Sequence, residues 1–548
     1  MSGMRVVIVG GVAGGMSTAA RLRRLDNDAE IIVLEKTGHV SYANCGLPYF
    51  VGGVIEDESS LLLQTPTSLY ERFRIDVRTN HEALRVDRDR QVLVVKDLLT
   101  ERAEELAYDV VVLSPGASPI IPAINGVERA FVLRNVEDVE KIVSKMKSLP
   151  KTAVVIGGGF IGVELAENLT KRGISVSIVE ASPQVLAPLD PEMAEIVATE
   201  LSAHGVGLHL SDAVVRIGED QVELSSGSLL DAGMVIVAIG VRPEVGLARE
   251  AGLTIGERGG IVVDDYNRTS DASIYAIGDA AEKKDAIDQS ATLFPLANIA
   301  NRQGRVVADH LVGRSVRPTP SIGTAIVKVF DLTVASTGWN EKRLRAAGRT
   351  SIAIHTHPFS HATYFPDARP MSLKMLVDPV TGAILGAQGI GSDGVDKRID
   401  VLATAIRAGL PAVALADLEL AYAPPFGSAK DPVNMLGYIA ENRLSGLVEM
   451  VQWDEVGDLG NQEILDVRSR EEFNEGALPG SRNIPLDELR DRVDELSTRD
   501  VLVYCQVGQR GHVAALLLSQ LGFRARNLDG GYETWRFSPA SGQLVASV

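Results

Sequence analysis

A-V-V-I-G-G-G-F-I-G-V-E-L-A-E-N-L (Ala153–Leu169) decides the fold: an apolar strand-like run breaks into three glycines, then into apolar residues at helical spacing. Gly157, Gly159 and Gly162 fit G-x-G-x-x-G. In that pattern the first glycine allows a tight turn, the second lets backbone approach a pyrophosphate, and the third lets helix and strand pack closely. The next strand, V-S-I-V-E, ends at Glu180, about 20 residues on, where a carboxylate can accept from a ribose 2′-hydroxyl. A carboxylate there repels a 2′-phosphate. NADH is therefore expected over NADPH.

The same unit occurs earlier as R-V-V-I-V-G-G-V-A-G-G-M-S-T-A-A-R-L-R-R-L (Arg5–Leu25), followed by I-I-V-L-E ending at Glu35. Gly10 and Gly15 match the ends of the glycine pattern, but Val12 takes its middle position. Both units are read as nucleotide sites. Pro and Gly interrupt the pattern at Leu113–Pro122 and again at Val237–Glu244, as expected for the two crossings of an inserted domain. From about Ser321 to Leu444 alternating strands lead into a helix, which suits an α+β domain, and a last α/β unit starts near Leu447.

At 548 residues the chain is too long for one core and suggests three or four domains. Hydrophobic residues are 45% and charged residues 23%, which favours neither disorder nor a membrane class. The excess of 72 acidic over 54 basic residues, a net −18, argues against nucleic acid or an anionic membrane as partner. The start runs directly into a strand without the features of a secretory signal, so a cytoplasmic protein is expected. Only Cys45 and Cys505 are present, in unrelated contexts. That excludes a disulfide framework and makes each thiol a candidate reactive group.

Cys45 sits in S-Y-A-N-C-G-L-P-Y (Ser41–Tyr49), soon after Glu35, and Y-A-I-G-D ends at Asp279. With the two glycine units, these residues resemble the pyridine nucleotide-disulfide oxidoreductase family over about residues 4–440. The resemblance implies FAD on the first repeat, through Gly10, Gly15 and Glu35, with Asp279 holding the ribityl chain. It implies NADH on Gly157, Gly159, Gly162 and Glu180. Members with two cysteines place them four residues apart; here no second cysteine follows, so Cys45 must work through a mixed disulfide, persulfide or sulfenate.

The N-C-G-L-P-Y run is most similar to the single-cysteine coenzyme A-disulfide reductases and persulfide reductases. H-A-T-Y-F-P-D with Tyr364 and A-Y-A-P-P-F-G-S-A-K-D-P with Tyr422 and Lys430 extend the likeness. By resemblance the two tyrosines reach Cys45 of a partner chain in a homodimer. A phenol beside a leaving thiolate can donate a proton as charge develops; an ordinary core or interface role is the alternative. Ser17, Arg21, Arg24, Ser41, Asn44, Asn301 and Lys430 would hold coenzyme A, although Arg21–Arg24 also reads as a solvated helix face. His355, His357 and His361 invite a metal site, but the family needs none, and an exposed strand edge is the expected setting.

In the last unit L-D-V-R (Leu465–Arg468), E-F (Glu472–Phe473), G-A-L-P-G-S (Gly476–Ser481), N-I-P (Asn483–Pro485) and L-D-G-G (Leu528–Gly531) resemble the rhodanese family. Strand Val501–Tyr504 delivers Cys505 into the loop C-Q-V-G-Q-R before a helix. Amides at a helix N-terminus stabilise a thiolate, so Cys505 is expected to carry sulfane sulfur while Arg510 holds an anionic donor or helps ionise the thiol.

The expected architecture is α/β, with two Rossmann-like dinucleotide-binding domains, an α+β dimerisation domain and an α/β rhodanese domain. Residues 1–118 and 245–320 would bind FAD, 119–244 NAD, 321–444 would dimerise and 447–548 form the rhodanese unit. The expected activity is NADH- and FAD-dependent reduction of coenzyme A persulfide, polysulfide or coenzyme A disulfide at Cys45, with sulfur transfer at Cys505. Two alternatives stay open: an NADH oxidase or peroxidase cycling Cys45 through a sulfenate, and a redox-sensing sulfur-carrier scaffold.

Overall fold

The computed structural model describes residues 3–458 and 462–545; the outer expected limits, 1 and 548, fall outside them. It divides into two compact units: the N-terminal segment through Pro183 with Gly205–Gly323, and Gln184–His204 with Thr324 onward.

In the first unit a five-stranded parallel sheet has the spatial order Ile274–Ala276, Val110–Leu113, Arg5–Val9, Glu30–Glu35, Ile75–Thr79. Both faces are buried. Val6, Ile8, Ile31 and Val33 join one cluster with residues of helices Ala13–Leu25 and Ala297–Leu311, whereas Val7, Ile32, Leu34 and Val111 join another. That is why these strands read as continuous apolar runs rather than alternating ones. A second parallel sheet in this unit is ordered Gly207–Leu210, Ser175–Glu180, Thr152–Ile156, Met234–Val237. In both sheets the glycine turn follows a central strand.

In the second unit an antiparallel sheet is ordered Ala325–Val329, Leu332–Gly338, Ile384–Gly391, Met371–Val377, Ile352–Thr356. Helices Val395–Ala408 and Pro432–Leu444 share its core. Segment Gln184–His204 belongs here through buried charge. The Lys374 ammonium contacts Glu192, Asp190 at 2.9 Å and Glu341 at 2.6 Å, while Gln388 Nε2 donates to Asp190 at 2.7 Å. Removing Lys374 would leave Asp190 and Glu192 buried without the ammonium that balances them, a loss of about 3–5 kcal/mol for a buried pair.

A second sheet in this unit is wholly parallel, ordered Glu449–Val451, Arg524–Leu528, Asp500–Tyr504, Glu463–Asp466, Arg482–Asn483. Helix Gln509–Gln520 packs on it.

The histidines read as an exposed edge are placed differently. Strand Ile352–Thr356 is an edge of its sheet, yet His355 is only 3% exposed and His361 is also buried. His355 bonds Asp529 and Glu192, His357 bonds Ser372 and Thr534, and His361 faces the Ala362 carbonyl. The covering residues Asp529 and Thr534 lie more than a hundred positions along the chain, so strand pattern alone could not reveal them.

Candidate active sites

The two glycine units share a construction that their sequences only hinted at. Gly10 and Gly157 both adopt positive φ, +105° and +108°. In the first unit the Gly11 N–H donates to Glu35 Oε2 at 2.8 Å and the Thr37 N–H to Oε1 at 2.9 Å. In the second, Gly158 N–H donates to Glu180 Oε2 at 2.7 Å and Ser182 N–H to Oε1 at 2.8 Å. Each carboxylate is thus fixed beside its turn by backbone donors, a role for Gly11 and Gly158 that motif reading missed.

The turns fit a dinucleotide. Neither helix has a side-chain cap, at Val12 or at Gly159, so its first N–H groups are free to meet phosphate oxygens. A Cβ on Gly159 would meet nothing within 4 Å, which leaves the backbone open to a pyrophosphate, whereas one on Gly162 would lie 2.0 Å from the Gly157 carbonyl.

Cys45 is exposed, in the short 3₁₀ turn Asn44–Gly46 that leads into helix Leu47–Gly52. Burial of its surroundings, then the charges of Glu164 and Asp279, push its thiol up. Glu164 comes from helix Phe160–Lys171 of the other glycine unit and accepts from the Tyr49 hydroxyl at 3.2 Å. Burial raises the Glu164 carboxyl to about 7. Helix Phe160–Lys171 and the cysteine segment are therefore joined by a group able to hold a proton near neutrality. A glutamate in the first turns of an apolar helix was its only signal in the sequence. Asp279 lies on the turn Gly278–Ala280, raised by burial and countered by Lys283 and Arg134. The Lys283 ammonium donates to the carbonyls of Gly278 and Ala281 and is pushed down to about 8 by burial.

Of the expected coenzyme A residues, Ser17 donates to Asn301 Oδ1 at 2.7 Å. Arg21 is committed to Asp309 at 2.7 Å. Arg24 is exposed, with its guanidinium 5.8 Å from the Phe73 ring centre. Ser41 adopts φ +50°, and Asn44 is exposed beside Cys45. In the second unit Tyr364 and Tyr422, distant in sequence, meet with their hydroxyls 2.8 Å apart. Both are exposed, Tyr364 at 74%, near exposed Phe365 and Phe426 in sequence, and Lys430 is exposed as well.

Cys505 is buried, at the end of strand Asp500–Tyr504. Among the described residues the N–H groups of Gln506, Val507 and Gly508 have no backbone acceptor, as a loop built to face an anion requires. Arg510 is gripped by both oxygens of Glu472, at 2.8 and 2.6 Å, and this pairing holds the Glu472 carboxyl down at about 2. Arg468 is buried against Asp466 and donates to Gln506 Oε1 at 3.0 Å, bracing the loop from below. No local pattern links Glu472 to Arg510, which follows it by more than thirty residues.

Comparison with known proteins agrees with this layout. Residues 4–304 match the family pattern of pyridine nucleotide-disulphide oxidoreductases, 324–432 that family's dimerisation domain, and 452–538 the rhodanese-like domain. A coenzyme A disulfide reductase of Staphylococcus aureus is 34% identical over 80% of this chain and 100% of its own length. The crystal structure of reduced Bacillus anthracis CoADR-RHD superposes with a TM-score of 0.97 at 46% identity, covering 99% of both chains. A NAD-dependent persulfide reductase from A. fulgidus gives 0.92 at 39%, covering 97% of this chain and 100% of the other. With two matched glycine units, a lone cysteine soon after the first and a second cysteine in a loop that runs into a helix, this chain belongs to the pyridine nucleotide-disulphide oxidoreductase family and carries a rhodanese-like domain after its dimerisation domain.

Proposed function

We propose that the protein reduces coenzyme A disulfide, coenzyme A persulfide or polysulfide with NADH at Cys45, and transfers sulfane sulfur at Cys505. The observation that carries this reading is an exposed lone cysteine set among Glu164, Tyr49 and Asp279, in a chain that carries a second, looped cysteine. Gly10, Gly15, Glu35 and Asp279 would hold FAD, and Gly157, Gly159, Gly162 and Glu180 would hold NADH. The flavin, when bound, supplies a path for an electron pair between nicotinamide and sulfur.

The chain's own residues do the rest. The Cys45 thiolate attacks one sulfur of coenzyme A disulfide, forming a Cys45–coenzyme A mixed disulfide and releasing one coenzyme A thiolate. Two electrons then cleave that bond to regenerate Cys45 thiolate and free the second coenzyme A. One disulfide, one NADH and one proton give two thiols and NAD+; a persulfide gives one thiol and hydrogen sulfide. Glu164, titrating near 7, can hold a proton beside the thiol. A tyrosine hydroxyl of the Tyr364–Tyr422 pair would donate to the leaving thiolate. The match to a dimerisation domain and the exposure of both tyrosines support a homodimer in which that pair serves the Cys45 of the other chain.

Coenzyme A would be held by Ser17, Arg21, Arg24, Ser41, Asn44, Asn301 and Lys430, with Arg21 having to share or leave Asp309. Among the described residues no helix is long and apolar enough to cross a membrane. Free-thiol chemistry at two cysteines suits a reducing, cytoplasmic setting.

The test is kcat/KM with NADH for coenzyme A disulfide, coenzyme A persulfide and glutathione persulfide. At least one coenzyme A substrate should exceed glutathione persulfide by about tenfold, the worth of 1.4 kcal/mol of nucleotide contacts. Equal values for all three would remove coenzyme A from the reading. Cofactor choice is tested separately. NADH should exceed NADPH by at least about tenfold, and Glu180→Ala should narrow the gap by removing the carboxylate that faces a 2′-phosphate. Equal kcat/KM for the two cofactors in the parent protein would reject that role for Glu180.

A further inference from the structure

Behind the Cys505 loop lies a contact that the chemistry above does not use. The L-D-G-G turn places Gly530 and Gly531 consecutively in the left-handed region, at φ +67° and +66°. On one side, a Cβ added to Gly531 would lie 2.4 Å from the Cys505 carbonyl and 2.7 Å from the Gly508 nitrogen. The Tyr532 N–H donates to the Cys505 carbonyl at 2.8 Å and the Glu533 N–H to the Gln506 carbonyl at 2.9 Å. On the other side, a Cβ on Gly530 would lie 2.8 Å from His355 Cβ. The turn is a thin wall with the thiol loop in front and His355 of the neighbouring sheet behind.

His355 also holds the residue that begins the turn. Its ring Nδ1–H donates to Asp529 Oδ2 at 2.7 Å, and its backbone N–H reaches the same oxygen at 3.1 Å. Its Nε2–H donates to Glu192 at 3.0 Å, and Gln452 Nε2 adds a bond to Asp529 at 3.2 Å. Burial opposes charge on this ring, but Asp529, with Glu192, overcomes it and raises His355 to about 9. The imidazolium keeps both donors at neutral pH.

We propose that His355 is a positioning residue for sulfur transfer, fixing Asp529 and, through the Gly530–Gly531 turn, the aim of the Cys505 loop. The proposal rests on the reading of Cys505 as the sulfurtransferase nucleophile. The N–H groups of Gln506–Gly508 have no backbone acceptor among the described residues and can serve the sulfur anion of the reaction only where the loop aims them, so a turn that shifts spoils their aim. Arg510 is gripped by Glu472, which His355 does not touch, so donor binding should be spared.

Two full-length variants separate this role from mere burial. In His355→Asn the amide takes the place of Nδ1 and keeps a donor for Asp529; in His355→Gln it takes the place of Nε2 and keeps one for Glu192. Sulfur transfer from thiosulfate to cyanide, and alkylation of Cys505 by iodoacetamide read by peptide mass spectrometry, are measured for both. His355→Gln should lower transfer kcat and Cys505 alkylation about tenfold, with KM for thiosulfate within about twofold and Cys45 alkylation unchanged. His355→Asn should stay within about twofold of the parent on every measure. Equal impairment of the two variants, or none in either, would overturn the proposal. Thiosulfate turnover that survives in Cys505→Ser would instead sink the reading of Cys505, and the alkylation rates of the two histidine variants would still decide whether His355 aims the loop.

Discussion

Cys45→Ser is expected to lower NADH-linked reduction of coenzyme A disulfide and persulfides by at least about a thousandfold, because a serine hydroxyl is not ionised near neutrality and forms no stable bond to sulfur. The same variant should still bind flavin, and NADH should still bleach its absorbance. The groups proposed to hold the two nucleotides, from Gly10 and Glu35 to Gly157 and Glu180, do not include the thiol. Stopped-flow absorbance and steady-state NADH oxidation check the two halves. A variant retaining a tenth or more of parental sulfur reduction would show that substrate takes electrons without Cys45.

Cys505→Ser should do the reverse. Sulfur transfer from thiosulfate should fall by at least about a thousandfold, since the loop amides and Arg510 would then surround a hydroxyl. Reduction of preformed coenzyme A persulfide should stay within about twofold of the parent, because that substrate can reach Cys45 directly. Should the substitution stop reduction of every substrate, including the preformed persulfide, sulfur must pass through the rhodanese loop and independent access to Cys45 is wrong.

The parts of this molecule written in consecutive residues are legible in the sequence itself. Strand, glycine turn and helix sit within about thirty residues in a βαβ unit, so Gly157–Gly162 with Glu180, and Gly10–Gly15 with Glu35, could be read directly. The Cys505 loop was legible for the same reason, being a strand end and a helix start. The turn at Val12 departs from the glycine pattern, yet Glu35 is held by Gly11 just as Glu180 is held by Gly158.

What the sequence hid was pairing across distance. Glu164 meets Tyr49, Arg510 meets Glu472, and Lys374 gathers Asp190, Glu192 and Glu341, none of which shares a local pattern with its partner. His355 is the sharpest case. An alternating edge strand implies a solvated side chain, and only the cover supplied by Asp529 and Glu192 makes it buried and doubly bonded. The Arg21–Asp309 pair is of the same kind, since a basic helix face reads as solvated and its partner lies far along the chain.

Trapping the intermediate tests most directly whether Cys45 is the sulfur-reducing nucleophile. The protein is reduced with NADH, freed of unbound NADH, mixed with coenzyme A disulfide in excess over the electrons the protein holds, quenched in acid and digested, and the two cysteine peptides are weighed. Coenzyme A should be found on the Cys45 peptide and not on the Cys505 peptide, and a second addition of NADH before quenching should remove it. Coenzyme A on Cys505 alone, or an unmodified Cys45 peptide while disulfide is being consumed, would contradict the assignment.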